Sequence, residues 1–283
     1  MTVQDNIHAE DDGLTCPKVH RWAEEKYRLV SMYDELFASG MKNRWGKRVY
    51  IDLYSGAGIA NVDDTSTFLK GSPLLAMGVS APFDKYIFCE ADHSNMAAVR
   101  KRCERVAPAT DIEFIEGDCH DDIDAICAAI PKPSHGNTVL SLCFVDPFDF
   151  GIRFEDIRKL SSYFMDFLIL LAIGMDANRN YDHYVNGDSP KIDVALGNKE
   201  WRVRWRQYSR RQDFRQFLAA EFARSMEGLG YLPQEVHQMR LVRSDEKNLP
   251  LYYLALFSRH KTAYKFWDEV LKYSTDQPRF SWG

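Results

Sequence analysis

The chain predicts an α/β fold: a doubly wound, mainly parallel sheet of Rossmann-like type, with an antiparallel carboxyl-terminal edge pair and added helices. Three observations predict it. Between residues 49 and 173 short apolar runs alternate with helix-period segments. The runs are apolar without a polar face, as strands covered on both sides require. The first run ends in an acid and a glycine-rich turn, Asp52 to Gly58, where such sheets hold ligands.

Taken in order, the first element is a helix over Pro17 to Ser39, with Val19, Trp22, Val30, Tyr33, Leu36 and Phe37 at helical spacing and Gly40 as its stop. Residues 1–15 are polar and acidic and read as a flexible arm; residues 16–283 form one domain. Strands then fall at Val49–Tyr54, Tyr86–Glu90, Ile112–Ile115, Val139–Val145 and Phe167–Ile173. Helices alternate with them at Pro73–Val79, Ser94–Val106, Ile123–Ile130 and Phe154–Tyr163. Residues 174–212, rich in Asn, Asp, Tyr, Trp and Arg, break the rhythm and read as an inserted lid or substrate segment. An amphipathic helix follows through Phe214, Phe217, Leu218, Phe222 and Leu229. "MRLVRS" and "LYYLALFS" predict the edge pair, and "YKFWDEVLKYS" a terminal helix.

Bulk properties narrow the function. A length of 283 residues supports a sizeable core, and a net charge of −5 argues against a generic nucleic-acid coat while permitting a local basic patch. The cysteines at 16, 89, 103, 119, 127 and 143 include no C-x-x-C pair, so reduced thiols are expected and zinc is not. The acidic start differs from a leader peptide, and the run "FLILLAIG" is too short to cross a bilayer, so a cytoplasmic location is expected.

The strand ends deliver a series of acids. The first gives Asp52, then Gly56 and Gly58, whose missing side chains let backbone approach a ligand. The second gives Glu90, suited to both hydroxyls of a ribose; the third gives Asp118, suited to an exocyclic amine; the fourth gives Asp146-Pro147-Phe148-Asp149. A nicotinamide dinucleotide needs G-x-G-x-x-G running straight into a helix for its pyrophosphate. Here position 61 is Asn and the next helix signal waits until Ser72-Pro73, so a ligand without phosphates, such as S-adenosylmethionine, fits better.

The order Asp52…Gly56-x-Gly58, Glu90, Asp118, Asp146-Pro147-Phe148 resembles class I S-adenosylmethionine-dependent methyltransferases. The stretches "HRWAEEKYRLVSMY", "YIDLYSGAG", "KGSPLLA", "FVDPF", "GNKEW" and "YYLALFSRH" resemble, more narrowly, the three-Cys-motif partner proteins, over about residues 18 to 270. The resemblance implies that Asp52, Gly56 and Gly58 hold the methionine part of the cofactor, Glu90 the ribose and Asp118 the adenine. It also implies a radical-S-adenosylmethionine-type partner bearing the three-cysteine motif. Asp146-Pro147-Phe148 resembles the D-P-P-Y/F motif of amino-methyltransferases, with Asp146 and Phe148 as acceptor-handling residues on a nucleobase, nucleotide or nucleic acid. It departs from that motif in having one proline and in Asp149.

Other readings stay open. His260, after a strand end, is a proton-transfer candidate, and His20 with Glu24 a weaker pair. The segment 199–215 interleaves Arg202, Arg204 and Arg206 with Trp201 and Trp205, which suits phosphate contacts with base stacking, a protein docking face, or a packed helix with an arginine exterior. The docking face would suit a non-catalytic accessory subunit of that partner. Asp118, Asp146 and Asp149 would serve a metal-dependent hydrolase on the same fold, although no metal is expected.

Overall fold

The structure is a computed structural model that describes residues 7–174, 180–187, 189–207, 211–244 and 248–273. Its main sheet has seven strands: β3 (Lys47–Asp52), β6 (Lys85–Glu90), β7 (Ile112–Glu116), β8 (Val139–Val145), β9 (Met165–Leu171), β10 (Arg240–Arg243) and β11 (Pro250–Phe257). The order across the sheet is β10-β11-β9-β8-β3-β6-β7. The five central and β7-side strands run parallel, whereas β11 is antiparallel to both β9 and β10. This is the doubly wound sheet with an antiparallel edge pair that the sequence predicts.

Alternation along the strands explains why both faces are dry. β8 sends Val139, Cys143 and Val145 to one core and Leu140, Leu142 and Phe144 to the other. The first core is covered by α4 (Ile123–Ala129), α5 (Phe154–Leu160), α7 (Lys191–Leu196), α8 (Trp201–Trp205) and α9 (Phe214–Glu227). The second is covered by α1 (Ala23–Met41), α2 (Ser72–Met77), α3 (His93–Val106) and α10 (Lys261–Lys272). The remaining helix, α6 (Tyr181–Asn186), buries Tyr184 in the first core. All six cysteines are free. Among the described residues no helix is long and apolar enough to cross a membrane.

Three local expectations are corrected. Residues 7–15 are not a free arm: β1 (His8–Ala9) pairs with β5 (Phe68–Lys70), and Asp12 binds the Arg102 guanidinium. Residues 1–6 lie outside the described part. The first helix starts at Ala23 rather than Pro17, because β2 (Lys18–Val19) is drawn out to pair with β4 (Ile59–Val62). It also runs through Gly40, where any Cβ would sit 2.4 Å from the Phe266 ring; this glycine makes room for α10 instead of ending α1. The long stretch after Gly58, where the sequence shows no element before Ser72, is itself structured. It is the β4–β5 hairpin of a second sheet, order β1-β5-β4-β2, and α2 then begins at Ser72 with Pro73 in its first turn.

The sheet order reverses between β3 and β8. From β3 the chain winds outward through β6 and β7, then returns to β8 and continues through β9 on the other side. Loops leaving β3 and β8 therefore diverge at their carboxyl ends and open a crevice, which is where open α/β sheets bind ligands.

Candidate functional site at the sheet switch point

A cleft of about 310 Å³ occupies that crevice, lined by Leu53, Tyr54, Glu90, Asp118, His120, Pro147 and Phe148 among others. A larger groove of about 620 Å³ lies between α9 and the edge pair, against Phe217, Met239 and Tyr253, but none of the parallel-strand ends reaches it.

The glycine turn is shaped by two different needs. Gly56 has φ 61°, in the left-handed region, and a Cβ there would meet nothing within 4 Å. Gly58, with φ 81°, instead packs its Cα face against Val99 and Leu74, and its carbonyl accepts from Gly71 N–H at 2.8 Å. Of the two predicted glycines, Gly58 is a packing glycine, while Gly56 reaches the cleft only through Glu90, which holds its N–H. Glu90 ties the turn to β6: Oε2 accepts from Gly56 N–H at 2.8 Å and Oε1 from Asp92 N–H at 2.8 Å. A carboxylate has about four lone-pair sites, so two remain for a ligand. Asp92 is a helix cap for α3, accepting from Asn95 N–H at 2.8 Å.

Asp52 is fully buried beneath this turn. Its Oδ1 accepts from Tyr54 N–H at 3.2 Å, and the Ser72 hydroxyl of α2 stands beside the carboxylate. Burial pushes the carboxyl up to about 7, despite the Ser72 hydroxyl and the Tyr54 N–H that favour its charge. Asp118 is exposed on the opposite wall, holding His120 N–H at 2.8 Å through Oδ1. His120 joins Asp156 of α5 through Nδ1 at 2.5 Å and Tyr54 OH through Nε2 at 3.3 Å. Asp118, Cys119 and His120 bring ligand-type atoms within 4.8 Å of one another. Yet both ring nitrogens of His120 are engaged, and burial pushes the Cys119 thiol up to about 12, which disfavours the thiolate a metal needs.

At the end of β8, Asp146 Oδ2 accepts from Lys26 Nζ at 2.6 Å, with the lysine buried on α1. Phe148 projects fully exposed at the cleft mouth, and Asp149 pairs with Lys191 of α7 at 2.9 Å. Asp118, Asp146 and Asp149 thus do not form a hydrolase metal site: two of the three carboxylates are each held by a lysine.

His260 is corrected outright. β11 runs antiparallel, so its end falls at the amino-terminal edge of the parallel strands, with Phe257 beside Phe167. There His260 caps α10, its Nδ1 accepting from Thr262 N–H at 3.3 Å. In the arginine–tryptophan segment the tryptophans follow the packed-helix reading. Trp201 and Trp205 point inward onto Phe214, and Trp205 Nε1 donates to Tyr181 OH at 2.9 Å. Arg204 Nε donates to both oxygens of buried Glu221 at 2.9 Å, and Arg202 binds Asp193 and, at 3.0 Å, the Ser189 carbonyl. Acids spaced along α7 and α9 answer these charges; of the predicted contacts, Arg206 alone is exposed. His20, further along the rim, meets Asp63 of the hairpin at 3.3 Å.

Two residues central to this geometry escaped sequence reasoning. Lys26 sits among helix-period residues with nothing to single it out. Arg102 of α3 is almost fully buried and props the glycine turn from behind, donating to the Ala57 carbonyl at 2.7 Å and the Thr15 carbonyl at 2.9 Å while its other face grips Asp12.

No protein-family model matches the chain, and no curated protein matches it by sequence. Solved structures similar to it include a protein of Legionella pneumophila, 14% identical over 50% of this chain and 66% of that one, with TM-score 0.39. Trm1 of Pyrococcus horikoshii, solved with S-adenosyl-L-methionine, is 9% identical over 94% of this chain, with TM-score 0.46. The chain spans 64% of that protein's length. TYW2 of M. jannaschii, in complex with AdoMet, is 10% identical over 81% of this chain and 77% of that one, with TM-score 0.35.

Proposed function

We propose that the cleft binds S-adenosylmethionine and that the protein transfers its methyl group to a nucleobase, nucleotide or nucleic acid, in concert with a radical-S-adenosylmethionine-type protein bearing the three-cysteine motif. The observation that carries this reading is the cleft at the switch point, lined by Glu90 and Asp118, with Glu90 also gripping Gly56 N–H and the buried Asp52 ending β3 just before the lining residues Leu53 and Tyr54.

The residues fit the cofactor in kind. Asp52 would take the amino-acid end, Glu90 the ribose hydroxyls through its two remaining lone-pair sites, and Asp118 the adenine amine. When bound, the sulfonium supplies an activated methyl group. The chain's part is alignment and exclusion of water more than strong base catalysis. Phe148 offers an exposed ring at the cleft mouth on which a base can stack, a contact worth about 1–3 kcal/mol. With Arg202, Arg204 and Trp205 tied internally, acceptor contact falls to Phe148 and the rim of the cleft.

The test is transfer of tritium from methyl-labelled donor to total RNA and to free nucleosides, with and without the partner. Label is expected in wild type, lost in Glu90→Ala and reduced in Phe148→Ala without loss of fold. Equal labelling in wild type and Glu90→Ala would sink the assignment.

A further inference from the structure

We propose that Lys26 and Asp146 together form the acceptor end of the cleft, and that this neutral pair selects a hydroxyl oxygen rather than an amine as the methyl acceptor. The proposal rests on the methyl-transfer reading above and narrows its substrate class.

The pair is built rather than incidental. Lys26 Nζ lies 2.6 Å from Asp146 Oδ2, 4.5 Å from the centre of the Tyr27 ring and 5.6 Å from that of Trp22. The lysine side chain is nearly sealed, and the pair meets solvent through Asp146, just beyond the strand end that adjoins Asp52. Burial pulls the ammonium toward neutrality, but Asp146 and Tyr27 more than offset it, so Lys26 stays above the ordinary lysine value. It is a fixed cation, not a base.

An amine acceptor gains positive charge as it takes a methyl group, so an uncompensated carboxylate would favour it. Here the carboxylate is already neutralised by an ammonium in direct contact, and that advantage is gone. A hydroxyl acceptor moves the other way: its oxygen grows more negative as its proton leaves. The hydroxyl proton passes to Asp146, the oxygen–carbon bond forms as the carbon–sulfur bond of the sulfonium donor breaks, and a neutral thioether departs. Lys26 keeps its proton throughout and acts from behind Asp146, as a fixed positive charge that stabilises the oxygen while it grows negative.

The experiment compares calorimetric affinities for S-adenosylmethionine, a cation at sulfur, and S-adenosylhomocysteine, neutral there, in wild type, Lys26→Met, Lys26→Arg and Asp146→Asn. A unit charge uncovered near the sulfur changes their ratio by about tenfold or more. Lys26→Met is expected to shift the ratio toward the cation, Asp146→Asn away from it, and Lys26→Arg to leave it near wild type. If the pair is only a strut between α1 and β8, the two ligands weaken together and the ratio holds within about twofold; that result overturns the proposal. Wild type binding neither ligand would instead overturn the cofactor reading beneath it. Where total RNA is labelled, the methyl group is expected on an oxygen, and base-nitrogen label would overturn the acceptor assignment.

Discussion

Replacing Arg102 with Met keeps the aliphatic stem of the side chain and removes only its guanidinium, which makes the cost calculable from the structure. Four hydrogen bonds go: two to Asp12, at 3.0 and 2.5 Å, and those to the Thr15 and Ala57 carbonyls. Asp12 is about one-fifth exposed and can rehydrate, so the ion pair itself is a modest part of the loss. The Ala57 carbonyl is the larger part, because a buried acceptor left unmet costs about 1–3 kcal/mol. The total falls at roughly 3–5 kcal/mol, the range for breaking a buried charge pair by removing one partner. Urea unfolding followed by circular dichroism measures it, with Asp12→Asn expected to lose about 1–2 kcal/mol. The Arg102 hydrogen bond holds the Asp12 carboxyl below its usual 3.8, so this contribution is present above that pH and fades as acid reaches the lowered value. The variant should lack that acid-dependent loss. Because Ala57 sits between the two glycines, affinity for S-adenosylhomocysteine should also fall in folded Arg102→Met. A loss below about 1 kcal/mol with unchanged affinity would refute the claim that this arginine props the turn.

Other expectations follow from the same geometry. Glu90→Ala should weaken S-adenosylhomocysteine binding by at least about tenfold and more than Glu90→Gln, which keeps an acceptor for Gly56 N–H; calorimetry separates them. Buried Asp166 has a carboxyl that burial pushes up to about 7, so it opposes folding once ionised. Asp166→Asn should therefore match wild type near pH 4 and exceed it at pH 8, by an amount on the order of 4 kcal/mol, in paired denaturation curves. Arg204→Ala strands buried Glu221 beside only the exposed Arg224, and should cost about 2–4 kcal/mol in thermal unfolding. Weaker nucleic-acid binding with unaltered stability would contradict that structural role.

The fold was legible because it rests on periodicity. The runs at β3, β6, β8 and β9 alternate between two cores, and only a covered sheet places apolar residues on both faces. The acids at the strand ends were legible for the same reason, since Asp52 and Glu90 each terminate a run and Asp118 follows two residues after one. What stayed hidden depends on partners distant in sequence. Lys26 meets Asp146, and Arg102 meets Asp12 and Ala57, through tertiary contacts that no local pattern encodes. The direction of β11 decided the fate of His260, and a single sequence marks a strand without marking its sense. The arginine–tryptophan segment left three readings open because composition shows charges but not the Asp193 and Glu221 that answer them. The β4–β5 hairpin was missed because "VDDTS" reads as a solvated loop, although Asp64 adopts the positive φ of a tight turn.

The most direct measurement is calorimetric titration of the wild-type protein with S-adenosylhomocysteine. A cofactor cleft at the switch point predicts one site per chain with a dissociation constant on the order of micromolar. A folded protein that gives no binding heat at several temperatures, and no shift in unfolding temperature with ligand, would contradict it.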